Sequence, residues 1–236
     1  MSTFVHRYEL DTTRPTFGSA LRDVALRGLV PAAVVWCVVV GLGLLITGPL
    51  DDLPREKAVN DWFVSVRTPT MNDVTAVVCE IGNTPIVVAL AVLTFLLLWW
   101  RTRQWWFAVV PPLAIGLQAA VFLTSSLLVG RERPDVDHLD DAPPTSSYPS
   151  GHTGASTALY TTLLLVAQRV RTPWLRVLLS TLCVLAPIAM GSARLYRGMH
   201  ALSDVLVGLA NGVVCALIAW GYLRRDVSRG EVTPRA

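Results

Sequence analysis

Three of the four histidines in this chain, His138, His152 and His200, fall in two short polar stretches that separate long apolar blocks. Arginines accompany them: Arg131 and Arg133 precede His138, and Arg194 stands six positions before His200. An imidazole titrates near neutral pH, so it can serve as nucleophile or as general acid. Arginine forks match phosphate oxygens and stabilise the charge that gathers on the equatorial oxygens of a phosphoryl-transfer transition state. Residues of these types, grouped in this way, point to chemistry on phosphorus.

Spacing suggests a role for each residue. Ser150 and Gly151 stand where a loop enters an apolar helix, so free backbone N–H groups and the positive end of the helix dipole form an anion site. Gly151 lets the backbone approach a phosphate closely, and Ser150 adds a hydroxyl donor. Arg131, Arg133 and Arg194 supply the forks of a cradle. His200 and Asp204 are four apart, on one face of a helix. Asp204 can then keep one ring nitrogen of His200 protonated and leave the other as nucleophile, while His152 protonates the departing oxygen.

The elements that must position these residues are membrane helices. With 53% hydrophobic and 16% charged residues and a mean hydropathy of +0.50, the chain is too apolar for an ordinary soluble domain. Charge-free stretches run from Gly28 to Leu50, Ile81 to Trp100, Gln104 to Gly130, Thr153 to Gln168, Val177 to Ala193 and Val205 to Leu223. Each approaches the roughly 20 residues that cross a bilayer as a helix. The expected fold is all-α, a bundle of six transmembrane helices, with Pro111 and Pro112 kinking the third. The segment from Asp51 to Glu80 mixes charges with Trp62, Phe63 and an apolar run, and reads as amphipathic surface helices between spans 1 and 2. One transmembrane domain over 28–223 follows, flanked by cytoplasmic segments 1–27 and 224–236. The polar start of the chain does not resemble a secretory signal, so the first apolar block is read as a retained anchor.

Orientation follows from the positive-inside tendency. With the N-terminus inside, thirteen of the twenty Lys and Arg residues fall on the inner side and seven on the outer. Both termini are therefore expected in the cytoplasm of a multi-pass cell-membrane protein, with the histidine-bearing loops on the extracytoplasmic side. Trp99, Trp100, Trp105, Trp106, Trp174 and Trp220 are expected to form an inner aromatic belt. The arginines are scattered, without the patch of a nucleic-acid binder. The four cysteines lack ligand spacing and read as small core hydrophobes. His138, among Asp135, Asp137, Asp140 and Asp141, reads as part of a solvated acidic loop. Tyr196, Arg197 and Met199 are either a rim that meets lipid or simple loop packing.

Arg133-Pro134, then Pro149-Ser150-Gly151-His152, then Arg194, five residues, His200, three residues and Asp204, resemble the three ordered motifs of the type 2 phosphatidic acid phosphatase superfamily. The likeness covers roughly residues 28–223. It implies His200 as nucleophile, Asp204 as its partner, His152 as acid, and Arg133, Arg194, Ser150 and Gly151 as phosphate cradle, with no metal and no cofactor. The implied activity is removal of phosphate from a membrane lipid through a phosphohistidine, the substrate being a polyprenyl diphosphate, phosphatidate or phosphatidylglycerol phosphate. Transfer of the phosphoryl group to an envelope lipid, vanadate-dependent halide oxidation, or non-catalytic binding or transport of a lipid phosphate are the other readings. Two positions depart from the family pattern: Ser126 stands where a lysine is usual and Ala193 where a serine is usual. Either Arg131 compensates for the lost positive charge or the substrate carries less charge.

Overall fold

The computed structural model describes residues 4–10 and 14–223, all of whose regular structure is helical. The tail 224–236, with Arg224, Arg225, Arg229 and Arg235 of the orientation count, lies outside the described residues. A short helix α1 (Arg7–Leu10) precedes α2 (Phe17–Thr47), which is capped where the Thr16 hydroxyl accepts from the Ser19 N–H at 3.2 Å. A π-helical turn, Ala25–Leu29, interrupts α2, so the expected boundary at residue 27 falls inside a continuous helix. After the 3₁₀ turn Pro54–Glu56 come α3 (Lys57–Ser65) and α4 (Pro69–Ile81), two helices where surface helices were expected.

Four further long helices follow in α5 (Thr84–Thr102), α6 (Trp105–Val129), α8 (Pro173–Tyr196) and α9 (Leu202–Trp220), with α7 (Gly151–Ala167) between α6 and α8. Helix α2, these four and α7 make a six-helix bundle. Five of the six are long and apolar enough to cross a membrane. Helix α7 has 17 residues, none of them exposed, and is enclosed by α6, α8 and α9. The prolines of the third span act differently from expectation. The helix breaks at Val109, and Pro111 and Pro112 sit in the first turn of Val110–Val129, where no intrahelical N–H is required.

Large apolar side chains face outward, among them Val38, Leu97, Leu127, Leu185 and Leu206, while Gln118, Ser125, Thr157 and Asn211 are buried. This inverted distribution suits a hydrocarbon solvent, in which polar groups must find partners inside the bundle. The chain is a multi-pass membrane protein. Helices α7 and α9 meet backbone to backbone. A Cβ on Gly212 would come within 2.5 Å of the Gly154 carbonyl oxygen, and one on Gly208 within 2.7 Å of that of Ser150. Small residues four apart on α9 permit this approach, and it carries the starts of both helices, with His152 and Asp204, to one end of the bundle.

At the other end, Trp106 and Trp220 are buried, and Trp220 packs edge-on against Tyr8 and Phe107. The Tyr8 hydroxyl donates to the Trp220 carbonyl at 2.9 Å, so α1 closes over the end of α9. These two tryptophans are core residues and do not belong to an aromatic belt; Trp99, Trp100 and Trp174 are exposed as such a belt requires. Of the cysteines, Cys79 and Cys215 are buried, Cys183 is half-buried and Cys37 is exposed on α2.

Candidate active site

Six elements converge on one cavity of about 340 Å³. The loop after α6 supplies Arg133, Thr145 and Ser146; the start of α7 supplies Gly151 and His152. The last turn of α8 supplies Arg194, and the turn between α8 and α9 supplies His200. The remaining walls are mostly apolar, with Val87 and Val88 from α5 and Ile115, Ala119, Phe122 and Leu123 from α6, alongside the polar Thr84 and Gln118. Val88 and Leu123 are also exposed on the bundle's outer surface. The cavity therefore runs from a polar, cationic end to an apolar flank between α5 and α6.

His200 is 3% exposed, so the ring is buried at the cavity wall. Its Nδ1 lies 2.7 Å from the Ser147 carbonyl oxygen. A carbonyl only accepts, so Nδ1 carries the proton and Nε2 is the free nitrogen. Burial, reinforced by the charges of Arg194 and Arg133, holds the imidazolium pKa of His200 well below its ordinary value. Both effects favour the neutral form of the ring.

Asp204 does not hold that proton. Its carboxylate is fully buried, with Oδ2 at 3.9 Å from His200 Nδ1. It accepts instead from Arg131 at 2.6 Å, from the Ser147 hydroxyl at 2.5 Å and from the Ala201 N–H at 2.8 Å. Ser147 thus bridges acid and base, its hydroxyl on Asp204 and its carbonyl on His200.

Arg131 is likewise placed apart from the cradle. Its side chain is 5% exposed and is spent on Asp204, Ser203, Asp52 and Glu56, and it does not line the cavity. It cannot replace the charge missing at Ser126, which is itself buried and accepts from the Ser146 N–H at 3.1 Å. Ser150 takes the N-cap position of α7, but its hydroxyl pairs with that of Thr153 at 2.8 Å and faces away from the cavity. Its neighbours Gly151 and His152 do line it.

Two arginines remain as cradle. Arg133 donates to the carbonyls of Met199 at 2.7 Å and Thr145 at 3.1 Å, which fixes its fork at the cavity wall. Arg194 is 4% exposed and pairs through one terminal nitrogen with Asp140 at 3.0 Å; its Nε is buried and carries no hydrogen bond. An unsatisfied buried donor is costly unless a ligand completes it. Asp140 is no bystander of a solvated loop, since it also accepts from Arg197 at 2.8 Å. Burial pushes its carboxyl up, but the hydrogen bond and charge of Arg197, with Arg194, outweigh this and hold it below its ordinary value.

Tyr196, Arg197 and Met199 are buried and form loop packing, not a rim: the Tyr196 hydroxyl accepts from the Thr68 N–H at 2.9 Å, and Arg197 reaches Thr75 at 3.2 Å. His138 is exposed, with Nε2 2.9 Å from the Pro134 carbonyl. Ser147, Asp140, Glu56 and Asn60 carry no spacing signal that marks them in the sequence; only the folded loop assigns them. Among the described residues no group of three His, Cys, Asp or Glu side chains is arranged to hold a metal ion.

The sequence matches the family model of the PAP2 superfamily over residues 107–228, a stretch that holds every cavity residue contributed by the loops and by α6 to α9. No curated protein sequence matches the chain. Two solved structures share its fold. The first transmembrane PAP2 type phosphatidylglycerolphosphate phosphatase from Bacillus subtilis superposes with a TM-score of 0.69 at 19% identity, covering 85% of this chain and 100% of that one. Aquifex aeolicus LpxE superposes with a TM-score of 0.54 at 21% identity, covering 69% and 92%.

Proposed function

This chain belongs to the PAP2 superfamily, and from that premise we propose that it is a membrane lipid phosphatase acting through a phosphohistidine on His200. The observation that carries the proposal is the buried His200 ring, its Nδ1 held by the Ser147 carbonyl so that Nε2 is left for the substrate, in a cavity shared with His152, the Arg133 and Arg194 forks and an apolar flank. A phosphate on the cationic end and a lipid tail on the flank would fill both halves, and Val88 and Leu123 offer the tail a way in from the bilayer.

Burial and the charge of Arg194 lower the His152 pKa to about 4 without substrate, and the negative charge of a phosphate in the cradle raises it, so His152 takes up its proton together with the substrate. In the first step Nε2 attacks phosphorus, and the bond from phosphorus to the lipid oxygen breaks as His152 donates that proton to the oxygen. Arg133, Arg194 and the free N–H groups at the start of α7 bear the charge on the three remaining oxygens. In the second step water attacks phosphorus, His152 takes its proton, the phosphorus–nitrogen bond breaks and inorganic phosphate leaves. No metal takes part in this scheme.

The substrate class is a lipid phosphate monoester or diphosphate, of which polyprenyl diphosphate, phosphatidate and phosphatidylglycerol phosphate are the candidates. The arginine distribution supports both termini in the cytoplasm and the site on the extracytoplasmic side. The experiment is a panel of purified lipid phosphates in detergent, assayed for released phosphate, with His200→Ala beside the wild-type chain. Release by the wild type alone supports the reading. Equal release by both would refute the nucleophile, and labelled phosphate recovered on a second lipid would replace hydrolysis by transfer.

A further inference from the structure

The described chain holds His200 from two directions, and only one belongs to the motifs that carry the family resemblance. From within the motif region come Ser147, on the ring, and Arg131, on Asp204. The second direction is the surface segment before α4. Asn60, 2% exposed on α3, donates to the backbone carbonyl of His200 itself at 3.0 Å. One turn earlier on the same face, Glu56 accepts from the Ser203 N–H at 2.7 Å and the Ser203 hydroxyl at 2.8 Å, and pairs with Arg131 at 3.3 Å.

These contacts fall at both ends of the five-residue segment from His200 to Asp204. The Glu56 carboxylate occupies a first-turn N–H of α9 and stands at its positive end, where an acidic group is favoured. The same carboxylate shares Arg131 with Asp204, so it sets how strongly that guanidinium draws on Asp204 and, through Ser147, on the imidazole. Neither Glu56 nor Asn60 lines the cavity.

Resting on the phosphatase reading, we infer that Glu56 and Asn60 are positioning residues: the surface helix α3 is a brace that aims the nucleophile without touching substrate. A side chain that sets the angle of attack alters the chemical step and leaves ground-state binding of phosphate to the cradle.

The test uses the full-length protein in detergent with the lipid phosphate that the panel identifies. Glu56→Gln keeps an acceptor for Ser203 but removes the charge facing Arg131, and Asn60→Asp sets an acceptor against the His200 carbonyl. The expected result for each is a fall in kcat of about tenfold or more, with KM and the inhibition constant of inorganic phosphate within about twofold of wild type. Acid-quenched phosphoenzyme should form more slowly by the same factor. Binding of inorganic phosphate also reports that the fold and cradle survive; if Glu56→Gln does not fold, Asn60→Asp decides by the same criteria. Unchanged kcat, or loss of kcat together with equal loss of inorganic phosphate binding, would overturn the brace. A wild-type chain that releases no phosphate from any lipid would instead overturn the phosphatase reading, and the two failures are distinct.

Discussion

His200 Nδ1 lies 2.7 Å from the carbonyl oxygen of Ser147, and the hydroxyl of the same serine donates to Asp204 at 2.5 Å. The acid therefore reaches the imidazole through a neighbouring residue, across a direct separation of 3.9 Å. Ser147→Ala keeps the carbonyl and deletes only the hydroxyl link. Its expected effect is a loss of about ten- to a hundredfold in kcat with little change in KM, the size of one oriented hydrogen bond to a charged group. Steady-state kinetics of Ser147→Ala beside Asp204→Asn check it: if Asp204→Asn is severe and Ser147→Ala is silent, the relay plays no part.

The depressed pKa of His200 has two consequences with a definite sign. The nucleophile stays unprotonated as pH falls past the ordinary histidine value of about 6.5, so the acid limb of kcat/KM attributable to it lies below that pH. Arg133→Gln removes one of the charges that lower it, and the limb should move to higher pH even as the rate drops. Stability runs the same way. Below about pH 6.5 the unfolded imidazole takes up a proton that the buried one refuses, so this contribution declines as pH falls toward the native value. Rate profiles and thermal unfolding across about pH 4 to 8, the informative window for a histidine, measure the two effects.

Asp140 joins Arg194 to Arg197, two arginines that are 4% and 7% exposed. Asp140→Asn leaves both guanidinium groups without their carboxylate, a loss of about 1–3 kcal/mol for partly buried pairs. Because the native carboxyl titrates below its ordinary value, the contribution is present above the unfolded value and disappears as pH falls through the native one. Thermal unfolding of the variant at neutral pH should therefore show a lower midpoint, with the gap to wild type closing in acid.

The contact of α7 with α9 predicts a contrast between two glycines. Gly212→Ala would bring a methyl group to 2.5 Å from the Gly154 carbonyl and should cost about 1–3 kcal/mol through overpacking. Activity should fall with it, because the strained helices carry His152 and Asp204. Gly116→Ala meets nothing within 4 Å on α6 and should be neutral or stabilising by up to about 1 kcal/mol. Melting temperatures of the pair in one detergent test the difference, and equal effects would show that helix approach is not limiting.

Much of the architecture is legible in composition and period. A helix in lipid must satisfy its own backbone, so apolar blocks declare themselves as spans: the block from Val177 lies within a helix of the folded chain, and those beginning near Ile81, Gln104 and Val205 each overlap one long helix with ends shifted by one to three residues. The cavity residues Arg133, Gly151, His152, Arg194 and His200 are equally visible, because motif spacing at loop–helix junctions is local information. What a side chain bonds to across the loop is not local. Arg131 and Arg133 are two positions apart and alike in chemistry, yet one is bound to Asp204 and Glu56 and the other lines the cavity. Asp140 reads as one carboxylate in an acidic run, and only the approach of the α8 end makes it the partner of two arginines. The types and order of the reactive groups were thus determined by the sequence itself. Which donor meets which acceptor was decided by tertiary structure, since every buried charge near His200 takes its partner from a different segment of the chain.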